Sequence, residues 1–194
     1  MLPFEPVCAY AQKRGILFTP SERSIIASYT HHQQFPAGTL LMEQGKAVQK
    51  LYFLNKGIAR LFRVHQGVDY TLGLISINDF ISTPLYLQNG EISSCSLESL
   101  TEVDVLVWNK QQVLQLKSEI PKMHKMEMAI MDRLLNWIQD GQIDAICMTA
   151  EERYHKILEQ QPELIREIPL KYIASLLGIH QDSLSRIRKS LGQK

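Results

Sequence analysis

Six of the ten glycines in this 194-residue chain fall between Gly38 and Gly90, and they separate apolar segments that are all short. TLLM, KLYFL, IARLFRV and DYTLGLI alternate with turn signals such as NKG at 55–57 and HQG at 65–67. Glycine at a tight turn lets one short strand fold back on the next. The spacing therefore predicts a compact antiparallel roll or barrel over about residues 32–108, closing with the strand-like EVDVLVW.

Helix signals flank this region. TPSE at Thr19 to Glu22 is a capping box, with a Thr cap, Pro at the first helical position and Glu three residues after the cap. It predicts a helix to about Tyr29. After Trp108, NKQQVLQL reads as a short helix, and Pro121 can open the next one. In MHKMEMAIMDRLLNWIQDGQIDAI, Met123, Met126, Ile130, Leu134 and Trp137 or Ile138, then Ile143 and Ile146, form one apolar stripe on a long helix. Periodicity alone leaves two roles open for that stripe, core or dimer seam. A second capping box, TAEE at Thr149 to Glu152, starts a fresh helix and puts the hinge at Cys147 and Met148.

The totals narrow the function classes. There is no run of roughly 18 apolar residues and no basic start followed by an apolar stretch, so neither a membrane span nor a secretory signal is expected, and the expected compartment is the cytoplasm. Cys8, Cys95 and Cys147 are odd in number and far apart, which suits buried free thiols better than a disulfide framework or a CxxC site. His31, His32 and His65 lack H-x-H spacing, and the chain has no evident nucleophile and base pair; no enzyme, metal or cofactor is expected.

Charge is unevenly placed. From Arg166 onward there are six Lys/Arg against two acids, a balance of +4, while the remainder carries 15 against 18, a balance of −3. A basic end on a slightly acidic body suits a polyanionic partner. The segment IPLKYIASLLGIHQDSLSRIRKSL sharpens this. Ile173, Ala174 and Leu177 share one face of a first helix, Gly178 supplies a turn, and Leu184, Ile187 and Leu191 line up on a second helix. Asp182, Ser185, Arg186 and Lys189 then lie on the opposite face, with Gln181 and Arg188 on its flanks. This is a helix-turn-helix pattern, whose second helix enters a major groove N-terminus first. Arg186 could fork onto guanine, Gln181 read an adenine and Asp182 accept from a cytosine amine. Lys171, Arg188 and Lys189 are placed to hold phosphates.

Over nearly its whole length the chain resembles the Crp/Fnr family of bacterial transcription regulators, through FPAGTLLMEQGKAVQKLYFLNKGIARLF at 35–62 and IPLKYIASLLGIHQDSLSRIRK at 168–189. The resemblance implies an α+β fold: an N-terminal antiparallel β-roll of the double-stranded β-helix or jelly-roll type with flanking helices over 1–120, a dimerisation helix over 121–147, and an all-α DNA-binding unit over 148–194. It implies a homodimer acting on operator DNA, with RNA polymerase and a small-molecule effector as further partners. It places base-reading residues at Gln181, Asp182 and Arg186, a phosphate contact at Lys171, and the seam of the dimer helix at Met123, Met126, Ile130, Leu134 and Trp137.

Two departures qualify that resemblance. The family's cyclic-nucleotide binders hold the ligand with a Gly-Glu pair and an Arg-Ser pair, but here Ser82 and Thr83, and Ser93 and Ser94, occupy those positions. No Arg or Lys lies between Arg63 and Lys110, so an anionic nucleotide lacks its charged partner and ordinary cAMP is not the expected effector. The six residues Pro162 to Glu167 are also too few for a β-hairpin wing of ordinary size, so a reduced, wingless DNA-binding unit is expected.

Overall fold

The computed structural model describes residues 4–82, 87 and 89–192. Two helices come first, α1 (Glu5–Gln12) and α2 (Pro20–Tyr29). The box at the head of α2 forms in full: the Glu22 amide donates to Thr19 Oγ1 at 3.2 Å and the Thr19 amide to Glu22 Oε2 at 2.7 Å. Among the described residues eight strands follow: β1 (His31–Phe35), β2 (Leu40–Met42), β3 (Lys50–Lys56), β4 (Ala59–His65), β5 (Val68–Ile75), β6 (Asp79–Phe80), β7 (Ser96–Ser99) and β8 (Val103–Asn109). They make two four-stranded antiparallel sheets, ordered β1-β8-β3-β6 and β2-β7-β4-β5. The two sheets face each other as a roll.

Alternation along the strands decides what each face touches. In the first sheet Tyr52, Leu54, Val103, Val105 and Val107 point into the roll, where they meet Ala59 and Leu97 of the second sheet. Leu51, Phe53, Leu106 and Trp108 point the other way, into a core with α1, α2 and the helices that follow the roll. Burial on both faces explains why EVDVLVW reads as a nearly continuous apolar run.

Beyond the roll lie α3 (Lys110–Glu119) and the long α4 (Lys122–Cys147). Helix α3 opens with a capping box that the sequence reading passed over. The Gln112 amide donates to Asn109 Oδ1 at 2.9 Å, and the Asn109 amide to Gln112 Oε1 at 2.8 Å. At 1.5 Å per residue the 26 residues of α4 span about 39 Å. Among the described residues no helix is long and apolar enough to cross a membrane.

The terminal unit contains α5 (Ala150–Gln160), α6 (Pro162–Glu167), α7 (Leu170–Leu177) and α8 (Gln181–Ser190). The Thr149 box caps α5, and Lys156 reaches back to Asp144 of α4 at 2.5 Å. Residues Pro162–Glu167, too few for a hairpin, form one short helix. The unit's core is Tyr154, Leu164, Ile168, Ile173, Ala174, Leu177 and Leu184, and it continues into Ile58 and Leu74 of the roll.

Candidate nucleic-acid interface

Helix α7 stops at Gly178, which takes φ +69°. A side chain there would be strained, because this left-handed region favours glycine. The Ile179 amide returns to the Ala174 carbonyl at 3.0 Å and the Gly178 amide to Ser175 at 3.1 Å, a Schellman closure. Arg153 from α5 adds a cation at the same helix end, donating to the Leu177 carbonyl at 2.7 Å. Gly178, Ile179 and His180 thus form the three-residue turn of a helix-turn-helix.

The second helix is seated by Leu184, which is fully buried, with Ile187 and Leu191 packed against the same cluster. Gln181, Asp182, Ser185, Arg186 and Lys189 are all exposed, and so is Lys171 on α7. One polar, largely cationic surface results. Arg188 stands apart from it: the side chain is half-buried and hydrogen-bonds the Tyr154 phenol in the core of the unit. Its side chain is thus turned towards Tyr154 rather than standing out on the exposed face with Arg186 and Lys189.

The long helix carries two apolar rows. Met126 and Ile130 are buried against their own roll, Met123 packs on the same cluster, Leu134 is half-buried, and the outer edge of the Trp137 indole closely approaches Gly73 of β5. The stripe proposed for a seam is therefore the row facing the roll. Met128, Leu135, Ile138 and Ile146 make a second, exposed row, with Leu135 63% and Ile146 77% accessible. Periodicity finds apolar rows but not which one the rest of the chain covers.

The serines of the roll are committed elsewhere. Buried Ser82 accepts from the Tyr52 amide at 2.9 Å and donates to the Lys50 carbonyl at 3.2 Å. Ser93 donates to the Cys95 carbonyl at 2.6 Å. The Ser82 hydroxyl thus holds the backbone of β3, and the Ser93 hydroxyl the backbone two residues along its own loop. Ser94 is exposed, and Thr83 lies outside the described residues.

The sequence reading missed Arg60. Its neighbours Ala59 and Leu61 point into the roll, so Arg60 lies on the outer face of β4, yet it is only 2% exposed. What covers it is the terminal unit. Arg60 donates to Asp69 through a two-pronged fork at 2.7 and 2.8 Å, to Glu98 at 2.7 Å and to Thr71 at 3.2 Å. Its guanidinium carbon sits 4.2 Å from the Phe62 ring centre and 4.1 Å from that of Tyr172 on α7. Burial opposes its charge, but the bonds and charges of Asp69 and Glu98 outweigh that and hold its pKa above the usual range. The alternation of IARLFRV could have placed Arg60 outside the roll. Nothing local could have named its cover.

Comparison with known proteins fits this architecture. Residues 32–119 match the family model described as the cyclic nucleotide-binding domain. The chain is 24% identical over 183 residues to the cyclic AMP receptor protein of Thermus thermophilus, covering 90% of this chain and 83% of that protein. Its fold is similar to FixK2 of Bradyrhizobium japonicum, with a TM-score of 0.72, 14% identity and 84% of each chain covered. It is also similar to the c-di-GMP-responsive global regulator CLP of Xanthomonas campestris, with a TM-score of 0.70, 16% identity, and 90% of this chain and 92% of that one covered. Residues 32–119 thus match the cyclic nucleotide-binding domain, and the roll, the long connecting helix and the terminal helix-turn-helix together share the fold of these regulators over most of the chain.

Proposed function

We propose that this protein is a sequence-specific, DNA-binding transcription regulator that works as a homodimer. The observation that carries the reading is the outward face of α8, where Gln181, Asp182, Ser185 and Arg186 are exposed while Leu184 anchors the helix. An exposed recognition-type helix with a forked cation near its N-terminal half suits direct readout in the major groove. Lys189 and Lys171 supply phosphate contacts that set register without reading sequence. The exposed row Met128, Leu135, Ile138 and Ile146 supports pairing of α4 with a second copy, which would present two recognition helices to half-sites about one helical turn apart.

The effector side differs from ordinary cyclic-nucleotide binding. Residues 64–109 contain no Arg or Lys, and the described serines of the expected cassettes either hold backbone or face solvent. An anionic effector of this roll would therefore find no arginine within residues 64–109.

In vitro selection of bound duplexes, followed by gel shifts across a salt series, tests the reading. Arg186→Ala relaxes preference at one base position, costing about 1–3 kcal/mol for the matched base. Lys189→Ala weakens all duplexes alike and shallows the salt slope by about one. Binding that saturates on no selected duplex even at low salt would refute the reading, leaving the roll as a sensory module alone.

A further inference from the structure

Strand β5 lies at the edge of its sheet, and an edge strand presents unpaired backbone groups that need a cover. Here the cover is α7. The Thr71 amide donates to Ser175 Oγ at 2.9 Å, and the Ser175 hydroxyl points on to the Asp69 carbonyl at 3.5 Å. One helix-turn-helix serine therefore bridges two backbone groups of the roll's edge. Beside it, Tyr172 closes over Arg60, whose remaining contacts all come from the roll.

This contact is built of specific polar groups. Arg60 uses four of its five N–H groups on Asp69, Glu98 and Thr71, so its position is fixed by the roll before α7 arrives. Tyr172 then meets a pre-placed cation sandwiched against Phe62, and Ser175 meets a pre-placed strand edge. Ile58 and Leu74 add apolar continuity between the roll and the core of the terminal unit. Lys171, Gln181, Asp182, Ser185, Arg186 and Lys189 all stay exposed while the unit is docked. The docked posture therefore leaves the whole candidate DNA surface free.

We infer that Arg60, Tyr172 and Ser175 form a clamp that holds the helix-turn-helix on the β4–β5 hairpin in its DNA-ready posture. Tyr172 and Ser175 are positioning residues, which set where α8 stands without touching DNA. The DNA-ready part of the inference rests on the function proposed above; the clamp itself does not. A held posture removes orientational freedom that DNA binding would otherwise have to remove.

The experiment measures the posture and the affinity separately on the full chain. Exposed Cys147 is changed to Ser, Cys8 and Cys95 being buried, and spin labels are placed at Lys56→Cys on the roll and Glu159→Cys on α5. Labelled chains are diluted into unlabelled ones so that only the distance within one chain is read by pulsed electron resonance. Tyr172→Leu with Ser175→Ala broadens the distance distribution while Tyr172→Phe keeps it narrow, because the aromatic face over Arg60 is retained. Both variants leave the ion pairs of Arg60 intact, so a circular-dichroism spectrum and unfolding midpoint close to the parent accompany the broadening. On a selected duplex the Leu/Ala variant binds about tenfold more weakly, as for a posture populated one-tenth of the time. A distribution as narrow as the parent's in the Leu/Ala variant would overturn the clamp. Broadening with unchanged or tighter DNA binding would overturn the positioning role and make the contact inhibitory. A parent protein that binds no selected duplex would overturn the DNA reading, while the distribution still decides the clamp.

Discussion

Replacing Gly73 with alanine should separate α4 from the roll at a single contact. The added Cβ would lie 2.5 Å from both Cη2 and Cζ2 of Trp137. Carbon atoms in good contact sit at about 3.5–4.0 Å, so the indole must retreat by about 1 Å or more. Overpacking of that kind costs about 1–3 kcal/mol. Against it stands the loss of unfolded-chain freedom on changing glycine to alanine, worth about 0.4–1 kcal/mol in the stabilising direction. That offset applies because the Gly73 backbone is outside the positive-φ region. The net expectation for Gly73→Ala is a loss of about 1–2 kcal/mol, or a fall in apparent Tm of about 2–8 °C for a chain of this size. In a Trp137→Ala background the steric partner is gone, and the same substitution should become neutral or slightly stabilising. Urea unfolding followed by circular dichroism on the four proteins of this cycle reads the change of sign directly. Equal destabilisation in both backgrounds would refute the reasoning, since the cost would then arise in the backbone of β5.

Two further outcomes follow from the same structure. Leu135→Glu with Ile138→Glu places charge in the exposed row of α4 and should yield a monomer in sedimentation velocity with an unchanged far-ultraviolet spectrum; a variant that sediments like its parent would show that another face pairs. The Glu22 carboxyl is held below its ordinary pKa by its hydrogen bond from Lys122 and by the Thr19 amide, and Glu152 is held low by the Thr149 amide. A carboxyl lowered by folding contributes stability above its unfolded pKa and loses it as pH falls through the folded value. Glu152→Gln keeps the capping geometry but cannot titrate, so Tm against pH should fall less steeply on the acid side than in the parent; an identical acid limb would rule out this linkage.

Much of the fold was legible because its signals are local. Glycine turns with short apolar segments mark a roll, and Thr19-x-x-Glu22 and Thr149-x-x-Glu152 mark helix starts through bonds closed within four residues. The same holds for the helix-turn-helix, where Gly178 and the spacing of Leu184 and Ile187 are read along one stretch. Asn109-x-x-Gln112 carried an equally local signal that was not used. Arg188 shows the limit of this approach, since angular position on a helix places it on a flank and only its neighbour Tyr154 shows that it turns inward.

The sequence by itself determined that short strands around glycine turns build a roll, where the capped helices begin, that the terminal helices carry an outward polar face, and that residues 64–109 offer no Arg or Lys to an anionic ligand. Each of these follows from spacing or composition within a short window. The tertiary structure alone decided that Met126 and Ile130 face the roll while Leu135 and Ile146 do not, and that Gly73 is seated against Trp137. It alone decided that Tyr172 meets Arg60 and that Ser175 meets the Thr71 amide. Those pairings join residues 64 or more positions apart, and they depend on which face of one element another element covers. Periodicity fixes the faces of an element, but only the packing of the whole chain fixes their partners.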